Sequence, residues 1–132
     1  MKEMANATHL TLLIAASLAS GIVQAKQFVC TTGITYASEP DGKLTAKEEH
    51  ASGDHKLFTV DTATGLVQGD QVLPTGSYTV VYAGTGTDGA KLLRNDAARL
   101  EVLFIATYAK NPFPFLFTDG VAIHTGTCRP SA

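Results

Sequence analysis

Tryptophan is absent from the 132 residues, and there are only two cysteines and two methionines. A basic excess is missing as well: 10 Lys and Arg stand against 12 Asp and Glu, a formal charge of −2. Nucleic-acid binding calls for clustered Lys and Arg that displace counterions from phosphates. Attachment to an anionic membrane surface calls for a similar basic stripe. Neither is expected here. No apolar run reaches the ~20 residues a membrane-spanning helix needs. What is present is a hydrophobic share of 45% and a charged share of 17%, enough for a core and too apolar for a disordered chain.

Catalytic and cofactor fingerprints are lacking too. There is no Gly-x-Ser-x-Gly elbow and no Gly-Lys-Ser/Thr. The glycine-rich stretch at residues 84–89 (GTGTDG) superficially resembles a phosphate-binding loop. Such loops need a strand before and a helix after, so that backbone N–H groups and the helix dipole meet the anion. Residues 90–96 offer a turn or two of helix at most, so an ordinary mobile loop is expected.

The N-terminal segment differs from the rest. Residues 10–23 (LTLLIAASLASGIV) carry no charge, follow a polar stretch with Lys2, and precede Val23-Gln24-Ala25, whose small residues suit a signal peptidase. Residues 1–25 therefore read as a secretory signal peptide, in helical form. Glu3 dilutes its positive end, and a rival cut after Ala19, an uncleaved anchor or a buried N-terminal helix are the alternatives. No Cys follows a lipobox, so no lipid anchor is expected.

Cleavage leaves residues 26–132, a single domain small enough to need help in burying its surface. Cys30 and Cys128 supply it. They lie at opposite ends of the mature chain, outside the signal, where disulfides persist. Two free thiols or a metal pair are the alternatives, and the spacing is far from a Cys-x-x-Cys pattern.

Turn cues divide this domain into short segments, as in all-β proteins. Residues 28–36 alternate, with Phe28, Cys30, Ile34 and Tyr36 on one parity. Residues 38–56 are polar and form the longest expected loop, with room for one helical turn. Residues 57–61 and 66–68 read as a hairpin, 77–83 as a strand, and 100–108 as a central strand covered on both faces. Residues 113–118 and 121–127 pair across Asp119-Gly120, a strong hairpin cue. The expected fold is all-β: a small antiparallel sandwich or barrel of about seven strands. Strict alternation would turn Cys128 away from the side of Val121 and Ile123, so a bulge at Gly126 is expected to restore it to the core. Phe113, Phe115 and Phe117 share one face. With six Phe in the chain, they are expected in the core rather than as an exposed strip.

Residues 115–120 (FLFTDG), followed by 125–128 (TGTC), resemble the end of a group of small exported bacterial β-domain proteins with no assigned activity. Residues 58–65 (FTVDTATG) are similar to an earlier segment of such proteins. The resemblance implies export and β structure, and no chemistry.

Few constellations remain. Glu48, Glu49, His50, Asp54 and His55 form the densest metal-capable cluster. His50 and His55 are five apart, which suits neither a helix face nor a strand, but Gly53 between them permits a turn. A solvated acidic loop is the plainer reading. His124 lies in an expected strand as a hydrogen-bonded ring. Asp61, Glu101 and Asp119 offer carboxylates without a spacing that singles out a pair. These readings point to a periplasmic or secreted, non-catalytic binding or envelope-associated β domain. Its expected partner is an unknown protein or small ligand, with no cofactor and no stable membrane insertion after signal cleavage. A metal-binding accessory module using His50 and His55 is the alternative, and a small hydrolase with a loop-built site the second.

The intact mass of the exported protein is expected to match a chain beginning at Lys26. A mass retaining residues 1–25 contradicts the signal assignment.

Overall fold

Alternating apolar and polar residues, broken by Gly and Asp turns, shape the chain throughout the computed structural model, which describes residues 27–48, 57–69, 75–84 and 87–131. Residues 1–25, assigned to the signal, and the segment holding His50 and His55 lie outside the described residues. The strands are β1 (Gln27–Ser38), β2 (Leu44–Glu48), β3 (Leu57–Asp61), β4 (Leu66–Gly69), β5 (Gly76–Ser77), β6 (Thr79–Ala83), β7 (Ala90–Asn95), β8 (Leu100–Ile105), β9 (Phe113–Thr118) and β10 (Ala122–Pro130). All pairings are antiparallel, in the order β5-β4-β3-β1-β10-β9-β8-β7-β6, with β2 on the second half of β1.

The two ends of that order are neighbours in sequence. Only Tyr78 separates β5, which pairs with β4, from β6, which pairs with β7. The Tyr78 amide donates to Gly65 O at 2.9 Å, so the sheet curls until its edges nearly meet in a barrel. Gly65 is required at this seam. Its φ is +79°, and a Cβ there would collide with Tyr78 O.

Inward residues fill the barrel. Phe58, Cys30, Cys128 and Phe113 form one row across β3, β1, β10 and β9. Cys30 and Cys128 are bonded, their Cα atoms 3.9 Å apart and 98 residues apart in sequence. Closing a loop of that size contributes up to about 4.7 kcal/mol on the chain-entropy model, and often less. Phe58 meets Phe115 edge-on at 5.1 Å, and Phe28 meets Phe113 at 6.1 Å. Phe115, Phe117, Leu92, Leu103 and Ile105 complete the buried cluster. The period-two Phe row thus faces the core.

Asp side chains hold the turns. Asp61 Oδ1 accepts the amides of Ala63 and Thr64. Asp119 Oδ1 accepts those of Val121 and Ala122, which closes the β9–β10 hairpin at Asp119-Gly120.

Four expectations need correction. The strands number ten, not seven. One of the extra strands is β2, inside the expected loop; its Leu44, Thr45, Ala46 and Lys47 are all exposed. It is held by main-chain pairing to β1 and so carries no alternation to read. Residues 90–95 form strand β7 rather than helix. Ala90 and Leu92 point inward, followed on the same parity by Arg94, whose charge hid the pattern. The bulge is in β1, between Thr32 and Thr35, and β10 runs regularly past Gly126 against β9. Gly126 instead makes room for β1, since a Cβ there would strike Thr31 O. Past the bulge Thr35 takes the inward side, so Ile34 does not share the parity of Phe28 and Cys30. Val121 is 69% exposed, while His124 and Cys128 are buried, so Cys128 faces the core without a shift in its own strand. Finally, β8 is central, but its outer side is only partly covered: Leu100 is exposed and Phe104 half-buried.

Phe115→Ala is expected to destabilise the domain by about 3–5 kcal/mol, through lost transfer energy and the cavity left against Phe58. Urea unfolding measures this, and an unchanged midpoint contradicts the core assignment.

Candidate functional site

Two places in the fold gather interacting groups. The first is inside, where the seam closes. Arg94 and Glu101 face each other in the β7–β8 register. Arg94 Nη2 lies 2.6 Å from Glu101 Oε2, and the Tyr78 hydroxyl donates to the same oxygen at 2.5 Å. Arg94 Nη1 donates to Thr75 O at 2.7 Å, and its guanidinium stands 4.8 Å from the centre of the Tyr78 ring. Arg94 Nε is buried without a hydrogen-bond partner among the described residues. Burial first, then the hydrogen bond to Glu101 and its charge, push the Tyr78 hydroxyl well above its ordinary value. It therefore stays protonated and donates. The hydrogen bond with Glu101 raises Arg94 further. One carboxylate oxygen held by a cation and a hydroxyl suits a fixed strut between the β5–β6 junction, β7 and β8.

The second place is on the outer face of β8, β9, β10 and the β1 bulge. A groove of about 690 Å³ runs there, lined by Ile34, Phe104, Tyr108, Pro114, Leu116 and Thr125 among others. The pairing that builds it is regular: Phe104 opposes Leu116, and Leu116 opposes Thr125. The Thr125 hydroxyl donates to Ile34 O at 3.0 Å. That bond ties the bulge to β10 and leaves the Ile34 side chain at the groove. Tyr108 is 60% exposed and its ring lies 6.3 Å from that of Phe104. Among the described residues that line the groove, none is acidic, basic or histidine. The groove offers apolar contact and hydroxyls. A smaller depression of about 270 Å³ lies beside β1, β3 and β4, lined by Gln27, Thr59, Asp61 and Gln68 with Leu66.

Of the residues singled out from sequence, Glu101 belongs to the seam cluster and Asp61 borders the smaller depression. His50 and His55, with Glu49 and Asp54, fall outside the described residues. Among the described residues, no three His, Cys, Asp or Glu side chains gather as a metal site. Asp61 and Asp119 each cap their own turn. The amide of Thr64, outweighing partial desolvation and aided by Ala63, holds Asp61 below the ordinary carboxylate range. For Asp119 desolvation is the largest effect and pushes upward, but the amides of Ala122 and Val121 more than offset it. His124 is buried, shares a 2.9 Å hydrogen bond between Nδ1 and Thr35 Oγ1, and stacks 5.8 Å from Phe117. Glu101 alone of the three carboxylates points inward. Sequence reasoning did not find its link to Tyr78 and Arg94, nor the groove. The one signal for the groove was apolar character on both parities of β8.

Arg94→Met is expected to destabilise the barrel by about 2–4 kcal/mol, because it leaves the buried Glu101 carboxylate without its cation, and Glu101→Leu by less, about 1–2 kcal/mol, because Arg94 is partly exposed and keeps its bond to Thr75 O. The double variant should cost less than the sum, with a coupling of about 1–3 kcal/mol. Strict additivity in urea unfolding contradicts the strut.

Comparison with protein-family models, with curated proteins and with solved structures yields no match, so the functional reading rests on the geometry alone.

Proposed function

We propose that this chain is an exported, non-catalytic binding domain, periplasmic or secreted, that meets its ligand or partner in the groove outside β8–β10. The observation that carries the reading is the groove's contiguous apolar lining, which no described residue covers, on an otherwise ordinary barrel. Soluble domains rarely leave such a patch uncovered without a use for it, and binding sites are characteristically concave, apolar and sparsely polar. The bulge adds to this, since bulges recur where a side chain is re-aimed at a site. The Cys30–Cys128 disulfide and the layout of residues 1–25 support export. No helix among the described residues is long and apolar enough to cross a membrane.

The test uses Nile red, a neutral dye that brightens in apolar surroundings, with the purified full chain. Binding is expected, and Leu116→Glu should abolish it by placing a charge in the middle of the groove. Leu116 faces outward, so the melting point should change little, in keeping with the ±0.5 kcal/mol or so typical of surface substitutions. Absence of dye binding, or undiminished binding in the variant, overturns the reading.

A further inference from the structure

Among the described residues, a cation stands beside the groove next to Phe104. Going outward from Phe104 across the sheet, the next residue in register is Lys91 on β7, followed by Tyr82 on β6. The Lys91 ammonium stands 5.9 Å from the centre of the Phe104 ring and 5.1 Å from that of Tyr82. Two aromatic faces hold it in place beside Phe104, which lines the groove. It has no carboxylate partner among the described residues, where the ion pairs are Lys43–Asp41 and Arg94–Glu101. A cation at one end of an uncharged, apolar trough defines its complement: a molecule with an apolar body and one anionic end.

The dimensions narrow this further. Phe104, Leu116, Thr125 and the β1 bulge with Ile34 lie on successive strands, three steps of about 4.8 Å, or roughly 14 Å. An extended alkyl chain advances about 1.3 Å per carbon, given C–C bonds of about 1.5 Å. Roughly eleven carbons therefore reach from Phe104 to Ile34. The Thr125 hydroxyl lies along the trough but already donates to Ile34 O, so an unbranched hydrocarbon gives up no hydrogen bond at Thr125.

We infer that the groove binds a single free fatty-acid-type carboxylate of medium chain length, with the alkyl chain over Phe104, Leu116 and Ile34 and the carboxylate at Lys91. The inference rests on the groove being the binding surface proposed above and adds what it binds. Only binding is involved, with no bond made or broken.

The experiment titrates laurate, below its micelle concentration, into the purified full chain by calorimetry. Octanoate and dodecyltrimethylammonium serve as the short-chain and opposite-charge controls. Saturable one-to-one binding of laurate is expected, with both controls weaker. Lys91→Met, which keeps the apolar stem, should weaken laurate roughly threefold, the scale of a solvent-exposed ion pair. It should leave dodecyltrimethylammonium no weaker, and Lys91→Arg should restore laurate. Melting curves establish that the variants are folded. Several results overturn the inference. These are laurate and the cationic detergent binding alike, Lys91→Met binding laurate unchanged, and flotation with anionic phospholipid vesicles in place of laurate binding. A self-associated chain that laurate does not dissociate overturns it as well. If Nile red binding is lost in Leu116→Glu but laurate does not bind, the groove stands and only this occupant falls. If Nile red does not bind at all, both fall.

Discussion

The pairing of β1 with β10 sets the terms for everything else. It brings residues almost a full domain length apart into direct opposition, and the disulfide fixes the register where Cys30 faces Cys128. From that row the inward set follows on both sides: Phe58 beyond Cys30, and Phe113 beyond Cys128. A slip of one residue would turn each of these outward, because side chains alternate with a period of two. With no Trp in the chain, the Phe cluster around this row supplies the bulkiest apolar side chains of the core. The covalent tie and the aromatic core therefore specify the same register.

Much of this was legible in the sequence. Two cysteines leave one pairing, and the Phe113, Phe115 and Phe117 spacing names a face without help from tertiary structure. Other parts were hidden for physical reasons. Strand β2 is stabilised by main-chain bonds to β1, which any polar sequence can make. Strand β7 places Arg94 on its inner parity because Glu101 and Tyr78 satisfy it there, and those partners lie on other strands. The bulge was assigned to the wrong member of a pair. Gly33 in β1 and Gly126 in β10 are both glycine, and sequence alone does not say which strand gains the extra residue and which makes room for it.

The groove was the least legible feature, because it is assembled from β1, β8, the turn after β8, β9 and β10. Its trace was present nonetheless. Residues 100–108 are apolar on both parities, which first reads as burial on two faces. The barrel buries one face with Glu101, Leu103 and Ile105 and leaves the other partly open with Phe104. The outer parity of β9, Pro114 and Leu116, continues the same open surface. Apolar residues on both sides of a strand can thus mark a site as well as a core.

The seam at Tyr78 has a consequence of its own. Only two residue pairs join β4 to β5, and the Tyr78 amide adds one more bond, so this is the thinnest ladder in the ring. Beyond it no strand among the described residues pairs with the outer edge of β6, and Val81 and Tyr82 are exposed beside it. If the seam parts, the ring becomes an open ribbon whose bare rims can template strands from another copy, the route by which proteins exchange segments and aggregate. Glu101, by gripping Tyr78 and Arg94 together, keeps those rims apart from any neighbour. A carboxylate buried inside the barrel thereby helps to hold shut the seam where the ring can open.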